Sequence, residues 1–413
     1  MTASTARLAI DAIAAGGDGV ARHEGRVVFV PRTAPGDVVD ADIKAKATDR
    51  FARGLLRAVV TASPSRITPP CPSYDGSRCG GCQLQHMDYG AQLDAKSTII
   101  ADAFERIAKR PIARPEVRRA AREWRYRSKL TLALRFRDGA WLIGMHAYDA
   151  PGTVFAFADC PITDERVVAA WRDIMAATAH LPRAVQMRGA VRVLPDGVSF
   201  TLEGASRWPT HARFLAAVPV VRQLWWIPSG EERRLLADRQ ASATAGASFV
   251  QVNAEVAADM HAYVVAAVMA HAPRHALDAY AGAGDTAVAL AARGVAVTAI
   301  EIDADAARHC ASRLPAGSRA VTARVEDALD RTLPTDVVIL NPPRAGVDER
   351  VTYQLDAAAG PVRAIVYVSC NPATLARDVA RLPQWRVAGV TAFDMFPQTA
   401  HVETVCELVP VAA

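Results

Sequence analysis

Short apolar runs alternate with helical stretches over residues 241–413 of this 413-residue chain. The runs at residues 276–280 and 295–300 have the length and composition of buried strands. Strands that alternate with helices form parallel sheets, because a parallel pair needs a crossover that a helix usually supplies. The pattern therefore predicts a doubly wound, Rossmann-like α/β domain in this part of the chain.

The preceding sequence predicts two further domains with different patterns. Residues 1–62 contain short alternating runs between glycine-containing turns, which indicates a small β-barrel. After a proline-rich linker, residues 63–240 are mostly strand-like, with helices expected near residues 88–109 and 164–179. Small residues at 242–247 mark the next boundary. The alternating runs of the first domain are at residues 26–30 and 38–43, separated by turn signals at residues 16–19 and 35–37.

Composition indicates a soluble globular protein. Just over half of the residues (51%) are apolar, and the formal net charge is +5. No run is long and apolar enough to span a bilayer. The N-terminal apolar run is broken by Asp11, so no secretory signal is visible. Seven cysteines without a sign of export favour reduced thiols. We therefore expect a cytoplasmic monomer that does not bind membranes.

Positive charge is concentrated between Arg106 and Arg137, where twelve Arg and Lys residues are interleaved with Trp124 and Tyr126. Cations hold phosphates and aromatic rings stack on bases, so the segment from Arg118 to Arg137 is a candidate RNA surface. A solvated basic face explains the same charges equally well.

A glycine turn in the α/β domain predicts a cofactor site. Gly282 and Gly284 follow the expected first strand, and Glu301 ends the next strand, about 20 positions beyond the glycines. An acidic residue at that spacing suits a ribose hydroxyl pair. A third glycine at dinucleotide spacing is missing, and Asp285 follows instead. The turn therefore favours S-adenosylmethionine, a nucleoside without a pyrophosphate, over NAD.

Cys370 and Glu403 form a candidate catalytic pair. Cys370 ends an apolar strand and precedes Asn371, and Glu403 lies on a later loop. A thiolate can add to an unreactive ring carbon, and a carboxylate can later remove a proton from the ring. A free thiol has a pKa of about 8.5, so a nearby cation, Arg344 or Arg377, is expected to favour the thiolate. Cys310 and Cys406 are expected to be buried packing residues.

Cys71, Cys79, Cys82 and Cys160 have the spacing of a metal or cluster site. Four thiolates suit tetrahedral zinc and an iron–sulfur cluster equally well. A radical S-adenosylmethionine enzyme needs three closely spaced cysteines, which leave one iron of the cluster without a protein ligand. Here Cys71 is distant from Cys79, and Cys160 supplies a fourth ligand. This class of enzyme is therefore rejected.

Three motifs resemble those of the RNA uracil-5-methyltransferases. They span residues 339–346, 368–378 and 394–403, and Gln251-Val252-Asn253 before a helix is also similar to the family pattern. The resemblance extends over the whole chain. Residues 1–62 resemble a TRAM domain, and the four cysteines match the iron–sulfur ligands of the branch that acts on ribosomal RNA.

The resemblance implies specific roles at the site. Cys370 would be the nucleophile and Glu403 the base. The cofactor would be contacted by Gln251, Tyr280, Asp285 and Glu301, and Asn341 stands at a further contacting position, where the family usually has Asp. The four cysteines would hold a 4Fe-4S cluster. The central domain, which contains this cluster, would recognise RNA. Ala281 stands where a cysteine is common.

The expected reaction is transfer of a methyl group to carbon 5 of a uridine, in 23S ribosomal RNA. Three alternatives stay open. The family branch that lacks barrel and cluster typically acts on transfer RNA, so their presence favours ribosomal RNA. Archaeal relatives that carry the cluster keep transfer RNA open as the substrate. Asn341-Pro342-Pro343 is similar to the motif of amino-group methyltransferases. A non-catalytic RNA-binding protein could retain the same scaffold.

Overall fold

The computed structural model describes residues 4–44, 50–239 and 251–411. The predicted boundary segment at residues 242–247 lies outside the described residues. Three sheets of six, seven and eight strands organise the described part of the chain.

The N-terminal sheet has the strand order β1-β5-β6-β4-β3-β2. Its edge strand β1 also contacts β3 near the opposite edge, so the sheet is curled around its core. Small and β-branched residues such as Ala21, Val30 and Ala41 fill this core, as expected for alternating strands that bury one face. The strands are β1 (Ser4–Ala9), β2 (Ala12–Ile13), β3 (Gly19–His23), β4 (Arg26–Val30), β5 (Val38–Lys44) and β6 (Phe51–Thr61).

The central sheet has the order β10-β9-β8-β11-β12-β13-β14. Trp171 of α3 packs edge-on against Phe200, and Phe200 contacts Phe214. The strands are β8 (Lys129–Arg137), β9 (Ala140–His146), β10 (Val154–Ala156), β11 (Met187–Leu194), β12 (Gly197–Glu203), β13 (Val221–Ile227) and β14 (Arg234–Asp238), and the helices between the cysteines and the end of this sheet are α1 (Pro72–Asp75), α2 (Tyr89–Ala103), α3 (Glu165–Ala176) and α4 (His211–Ala217).

Helices α2 and α3 confirm the two helices predicted from periodicity. Each begins after an aspartate whose carboxylate caps the first turn, with Asp88 accepting from Ala91 N and Asp164 accepting from Arg166 N. A π-helical turn, Phe104–Ala108, extends α2 to the predicted end.

The C-terminal sheet confirms the predicted doubly wound α/β fold. Its order is β17-β16-β15-β18-β19-β21-β20-β7. The five strands from β17 to β19 are parallel, and β21 runs antiparallel to both neighbours. The strands are β15 (His275–Ala279), β16 (Ala296–Glu301), β17 (Arg319–Thr322), β18 (Val337–Leu340), β19 (Ala364–Ser369), β20 (Trp385–Phe393) and β21 (Glu403–Pro410), and the helices are α5 (Ala254–Ala270), α6 (Asp285–Ala291), α7 (Ala304–Arg313), α8 (Val325–Ala328), α9 (Glu349–Ala357) and α10 (Pro372–Ala380).

Part of the predicted central segment packs with the C-terminal sheet. Strand β7 (Val117–Arg118) pairs with β20 as the edge strand of that sheet. Ile100 of α2 and Phe104 join the same apolar core as Leu375 and Tyr367. The predicted domain boundaries at residues 62 and 240 stay predictions, and the segment from α2 to β7 connects the central and C-terminal domains through this shared core.

Candidate active site

The strand order reverses between β15 and β18, the position where ligands bind in doubly wound sheets. A cleft of about 1840 Å³ lies at the carboxyl ends of these strands. It brings together all seven residues that the sequence analysis assigned to cofactor and catalysis, namely Gln251, Tyr280, Asp285, Glu301, Asn341, Cys370 and Glu403.

The glycine turn after β15 is held in one conformation by Glu301. Gly282 and Gly284 both have positive φ, at 57° and 85°. A Cβ atom on Gly284 would lie 2.2 Å from Cys310 Sγ, so no larger residue fits there. The Glu301 carboxylate accepts hydrogen bonds from Gly282 N and from Asp303 N, each at 2.8 Å. Glu301, the acid that is expected to bind the ribose, is therefore held against the glycine turn.

Two aspartates near the turn differ in their surroundings. Asp285, a predicted cofactor contact, is exposed at its side chain and bonds Arg313 Nη1 at 2.7 Å. Asp278 of β15, which the sequence analysis did not single out, is buried, and this burial raises its pKa to about 7. The sequence signal that could have identified Asp278 is an acidic residue within an apolar strand. A hydrogen bond with the backbone of Ala287 ties Asp278 to α6.

Cys370 and Glu403 face each other because of strand register. Strands β19 and β21 are antiparallel, and Ser369 pairs with Thr404. The next position along this register brings Cys370 opposite Glu403. Asn371 fixes the following turn, because its side chain accepts from Ala373 N at 3.1 Å and from Thr374 N at 3.4 Å.

The pKa values of Glu403 and Cys370 are both raised by burial. Glu403 is only 4% exposed, and burial raises its pKa to about 7, against the opposing charge of Arg344. Burial also raises the pKa of the Cys370 thiol, and the Glu403 carboxylate raises it further. The Arg344 guanidinium opposes both effects by its charge and by a hydrogen bond to the thiol. A carboxylate with this pKa is suited to accept a proton near neutral pH.

Arg344, rather than Arg377, is the cation at the thiol. Arg377 donates to Asp378 Oδ1 at 2.7 Å and to Ala345 O at 2.8 Å. The buried Asp378 also accepts from Tyr367 Oη at 2.7 Å and from Val347 N at 3.1 Å. Arg377 therefore holds the loop that carries Arg344.

Asn341 lies at the carboxyl end of β18, in the wall of the same cleft. Its backbone N–H donates to Ala279 O at 3.3 Å, which continues the pairing with β15. The side chain contributes a neutral amide where the related family usually carries a carboxylate.

All four cysteines of the predicted cluster site are buried. The pKa of Cys82 is raised by burial and then by the charges of Cys160, Cys79 and Cys71, so the four thiols are electrostatic neighbours. Gly81 N donates to Cys79 Sγ at 3.4 Å. Nevertheless, no group of three or more His, Cys, Asp or Glu side chains among the described residues is arranged to hold a metal ion.

The basic segment is only partly an open surface. Arg125 bonds both oxygens of Asp159, at 3.0 and 2.9 Å, and Arg118 bonds Asp259 at 3.0 Å. Arg122 pairs with Glu255 at 2.8 Å. Three cations of the predicted RNA surface, Arg118, Arg122 and Arg125, therefore form ion pairs with carboxylates of the protein itself, and the RNA surface stays a prediction.

A smaller cationic patch adjoins the cleft. Arg127 lines the cleft, and Lys129 lies within the field of Arg192, Arg127 and Arg188, whose charges lower its pKa after the effect of burial. Arg233 stacks over Trp225 at 4.6 Å, and both line the cleft. These contacts were invisible in the sequence, because the residues come from three separate strands and two loops.

Two family models match parts of this chain. Residues 1–56 match the model of the TRAM domain, and residues 316–409 match that of the tRNA (uracil-5-)-methyltransferases. An uncharacterised RNA methyltransferase of Gloeobacter violaceus is 32% identical over 98% of this chain and 96% of its own length. A second, from Protochlamydia amoebophila, is 30% identical over 97% of this chain and 96% of its own length.

The fold is also that of a solved structure, the Pyrococcus abyssi tRNA (uracil-54, C5)-methyltransferase in complex with S-adenosyl-L-homocysteine. It matches with a TM-score of 0.73 at 23% identity, over 98% of this chain and 99% of that one. The matched family and the relatives, together with this fold, define an S-adenosylmethionine-dependent methyltransferase. The chain belongs to the TRAM-containing family of RNA uracil-5-methyltransferases.

Family membership decides two of the open alternatives. The protein is an enzyme that methylates uracil in RNA, so neither an amino-group methyltransferase nor a non-catalytic RNA-binding protein describes it. Among the described residues, no helix is long and apolar enough to cross a bilayer.

Proposed function

We propose that this enzyme methylates carbon 5 of one uridine in 23S ribosomal RNA through a covalent bond between Cys370 and carbon 6. The single observation that carries the mechanism is the register of β19 and β21, in which a half-exposed thiol faces a buried carboxylate beside Arg344. Because the target carbon must reach this cleft, the uridine is expected to be flipped out of its RNA context.

The reaction begins with addition of the Cys370 thiolate to carbon 6. A carbon–sulfur bond forms, and the electron pair of the ring double bond moves to carbon 5 and the neighbouring carbonyl as an enolate. Carbon 5 then attacks the methyl group of S-adenosylmethionine, whose carbon–sulfur bond breaks to leave S-adenosylhomocysteine. Arg344 stabilises the thiolate before addition, through the hydrogen bond to Cys370.

Glu403 completes the reaction by taking the proton from carbon 5. The electrons of the carbon–hydrogen bond re-form the ring double bond, and the Cys370 thiolate leaves. Burial of Glu403 raises its pKa to about 7, which makes it a stronger base than an exposed carboxylate. The cofactor would be held by Gln251, Tyr280, Asp285, Glu301 and Asn341, which share the cleft with the catalytic pair.

Cys71, Cys79, Cys82 and Cys160 are proposed to hold a 4Fe-4S cluster. Four mutually interacting buried thiols are the donor set that such a cluster uses. Methyl transfer needs no electron from a cluster, so its role would be to stabilise the central domain. Anaerobically purified protein should then contain iron and acid-labile sulfide, whereas colourless protein with one zinc would contradict the cluster.

The substrate separates two candidate functions. The barrel and the four buried cysteines favour ribosomal RNA, because the family branch that lacks both typically acts on transfer RNA. The matched family model is described for transfer RNA, which keeps a tRNA uridine as the second candidate. Purified enzyme should be given labelled S-adenosylmethionine with 23S ribosomal RNA or with bulk tRNA. Formation of 5-methyluridine in the ribosomal RNA alone is expected, and formation in tRNA alone would overturn the ribosomal assignment.

The cationic patch beside the cleft is proposed to hold RNA phosphates. An Arg127→Gln/Lys129→Gln variant should weaken RNA binding. The slope of log affinity against log salt concentration should become shallower by the amount that about two phosphate contacts contribute. Arg125→Gln removes one of the paired cations of the same segment and serves as the matched control, with an unchanged salt slope expected. An unchanged slope in the double variant would show that the patch is only a solvated surface.

A further inference from the structure

The loop that leads into Glu403 is unusually polar for its burial. It joins β20 to β21, and Asp394, Gln398 and Thr399 are each at most 2% exposed. Phe396 of the same loop lines the cleft beside Cys370. Buried polar groups are costly unless each finds a partner, so the partners of this loop determine its shape.

The first partner is Lys96, a fully buried lysine of α2. Its Nζ donates to Asp394 Oδ1 at 2.5 Å and to Phe396 O at 3.1 Å, and both side chains of the ion pair are 0% exposed. Burial lowers the pKa of Lys96, and the Asp394 carboxylate opposes that shift. A buried ion pair adds little to stability, because desolvation offsets its attraction, but it permits only one geometry.

The second partner is Gln92, one helical turn earlier in α2. Gln92 Nε2 donates to Gln398 Oε1 at 3.0 Å, and Gln398 N donates to Gln92 Oε1 at 2.9 Å. Gln398 has a φ of +70°, which few side-chain-bearing residues adopt without such support. The two glutamines therefore fix the tightest turn of the loop.

The segment that follows Cys82 supplies a third set of contacts. Gln83 N and Leu84 N both donate to Gln398 O, at 3.1 and 3.0 Å. Tyr126 Oη donates to Pro397 O at 2.9 Å. All of these anchors lie outside the C-terminal domain in sequence, about 270 to 310 residues before the loop.

We propose that Lys96 and Gln92 are positioning residues for the catalytic base, holding the loop so that the Glu403 carboxylate meets the carbon-5 proton of the methylated adduct. The assignment rests on the proposed function. Cys370 has contacts that do not involve this loop, because β19 pairs with β18 on its other side and Asn371 caps α10. Release of the loop should therefore slow proton removal more than thiol addition or methyl transfer.

Slower proton removal has a signature that loss of stability does not produce. The intermediate with a bond between Cys370 and carbon 6 accumulates only if its breakdown is slowed relative to its formation. A misplacement of about 1 Å in a catalytic group can slow a step by up to ~100-fold. Enzyme that is merely less stable forms less adduct and less product in the same proportion.

The test is the fraction of folded enzyme that is covalently joined to methyl-labelled RNA at steady state. The main variant is Lys96→Met/Asp394→Asn, which removes the ion pair without leaving a lone buried charge. We expect turnover at least tenfold slower, an adduct fraction several-fold above wild type, and unchanged RNA affinity. The matched control is Arg66→Met/Asp37→Asn, which removes another ion pair with a fully buried Asp. The side-chain hydrogen bonds of this pair go to Ala34, Ser63 and Arg32 rather than to the loop, so the adduct fraction should stay at the wild-type level.

Gln92→Leu keeps the charges of Lys96 and Asp394. If the double variant does not fold, this variant tests whether the loop contacts position Glu403. An increased adduct fraction in Gln92→Leu supports positioning, and slower turnover with a wild-type adduct fraction overturns it. Glu403→Gln in the same assay separates this inference from the proposed function. If Glu403→Gln traps adduct and the Lys96 and Gln92 variants do not, only the positioning role falls. If Glu403→Gln forms no adduct, the proposed mechanism falls as well.

Discussion

Cys370 and the four cysteines of the central domain carry the same thiol in opposite surroundings. All seven cysteines of the chain lie within the described residues, and Cys370 is the one that is not buried. Cys370 has a cation within hydrogen-bonding reach and a carboxylate opposite. Cys82, by contrast, is buried among other thiols and in an apolar core. The difference teaches that surroundings, not residue type, distinguish the proposed nucleophile from the proposed cluster ligands.

Removal of the reactive thiol should have the largest effect. Cys370→Ala prevents addition at carbon 6, so carbon 5 never becomes nucleophilic. We expect methylation to fall by roughly a millionfold, comparable to the loss of a covalent nucleophile in a protease. Cys406→Ala, a change at a fully buried cysteine of β21, should keep a measurable rate. Methyl incorporation into RNA measures both, and an active Cys370→Ala variant would remove the distinction between the two kinds of cysteine.

Change of a cysteine of the proposed cluster site should affect stability instead. Cys82→Ser should abolish iron binding and destabilise the central domain, because metal binding is coupled to folding. The expected loss is on the order of 5 kcal/mol, a fraction of what structural metals contribute in small domains. Cys406→Ser should cost only about 1 to 2 kcal/mol and leave the iron content unchanged. Denaturant unfolding and iron analysis decide this, and a Cys82→Ser protein with full iron content would contradict the assignment.

The smallest effect should come from replacement of Arg344, the cation that is present at Cys370. The pKa of Cys370 is raised by burial and by Glu403, and Arg344 lowers it. Arg344→Gln therefore raises this pKa further, and the thiolate fraction at a given pH falls. The rising limb of the pH–rate profile should move up by about 1 pH unit, with a rate about tenfold lower near pH 7. Arg350→Gln, an exposed arginine outside the cleft, is the matched control. An unmoved profile in Arg344→Gln would leave the reactivity of Cys370 without its proposed cause.

The sequence predicted those features that depend on local patterns. The helices capped by Asp88 and Asp164 combine apolar periodicity with a capping residue, and both were found where expected. The strand–turn–helix at Cys370 was likewise predictable from a buried run followed by Asn371 and proline. The proposed site residues were chosen by motif, and the cleft that gathers them follows from the order of the parallel strands.

The features that the sequence did not predict depend on partners far apart in the chain. Lys96 looks like an ordinary surface lysine until α2 packs against the loop at Asp394, 298 residues away. Arg125 looks like an RNA contact until Asp159 is found beside it. The choice between Arg344 and Arg377 depends on the buried Asp378, which binds the second and leaves the first at the thiol. Such pairings exist only once the strands have assembled.

The division of labour between Cys370 and Glu403 is the central claim, and Glu403→Gln tests it most directly. The amide keeps the shape of the side chain but cannot accept the carbon-5 proton, so addition and methyl transfer should proceed and breakdown should stop. The enzyme should then run as a slower band on a denaturing gel, carry label from methyl-labelled S-adenosylmethionine, and lose that band when Cys370→Ala is added. A Glu403→Gln variant that turns over at the wild-type rate without this band would contradict the assignment of Glu403 as the base.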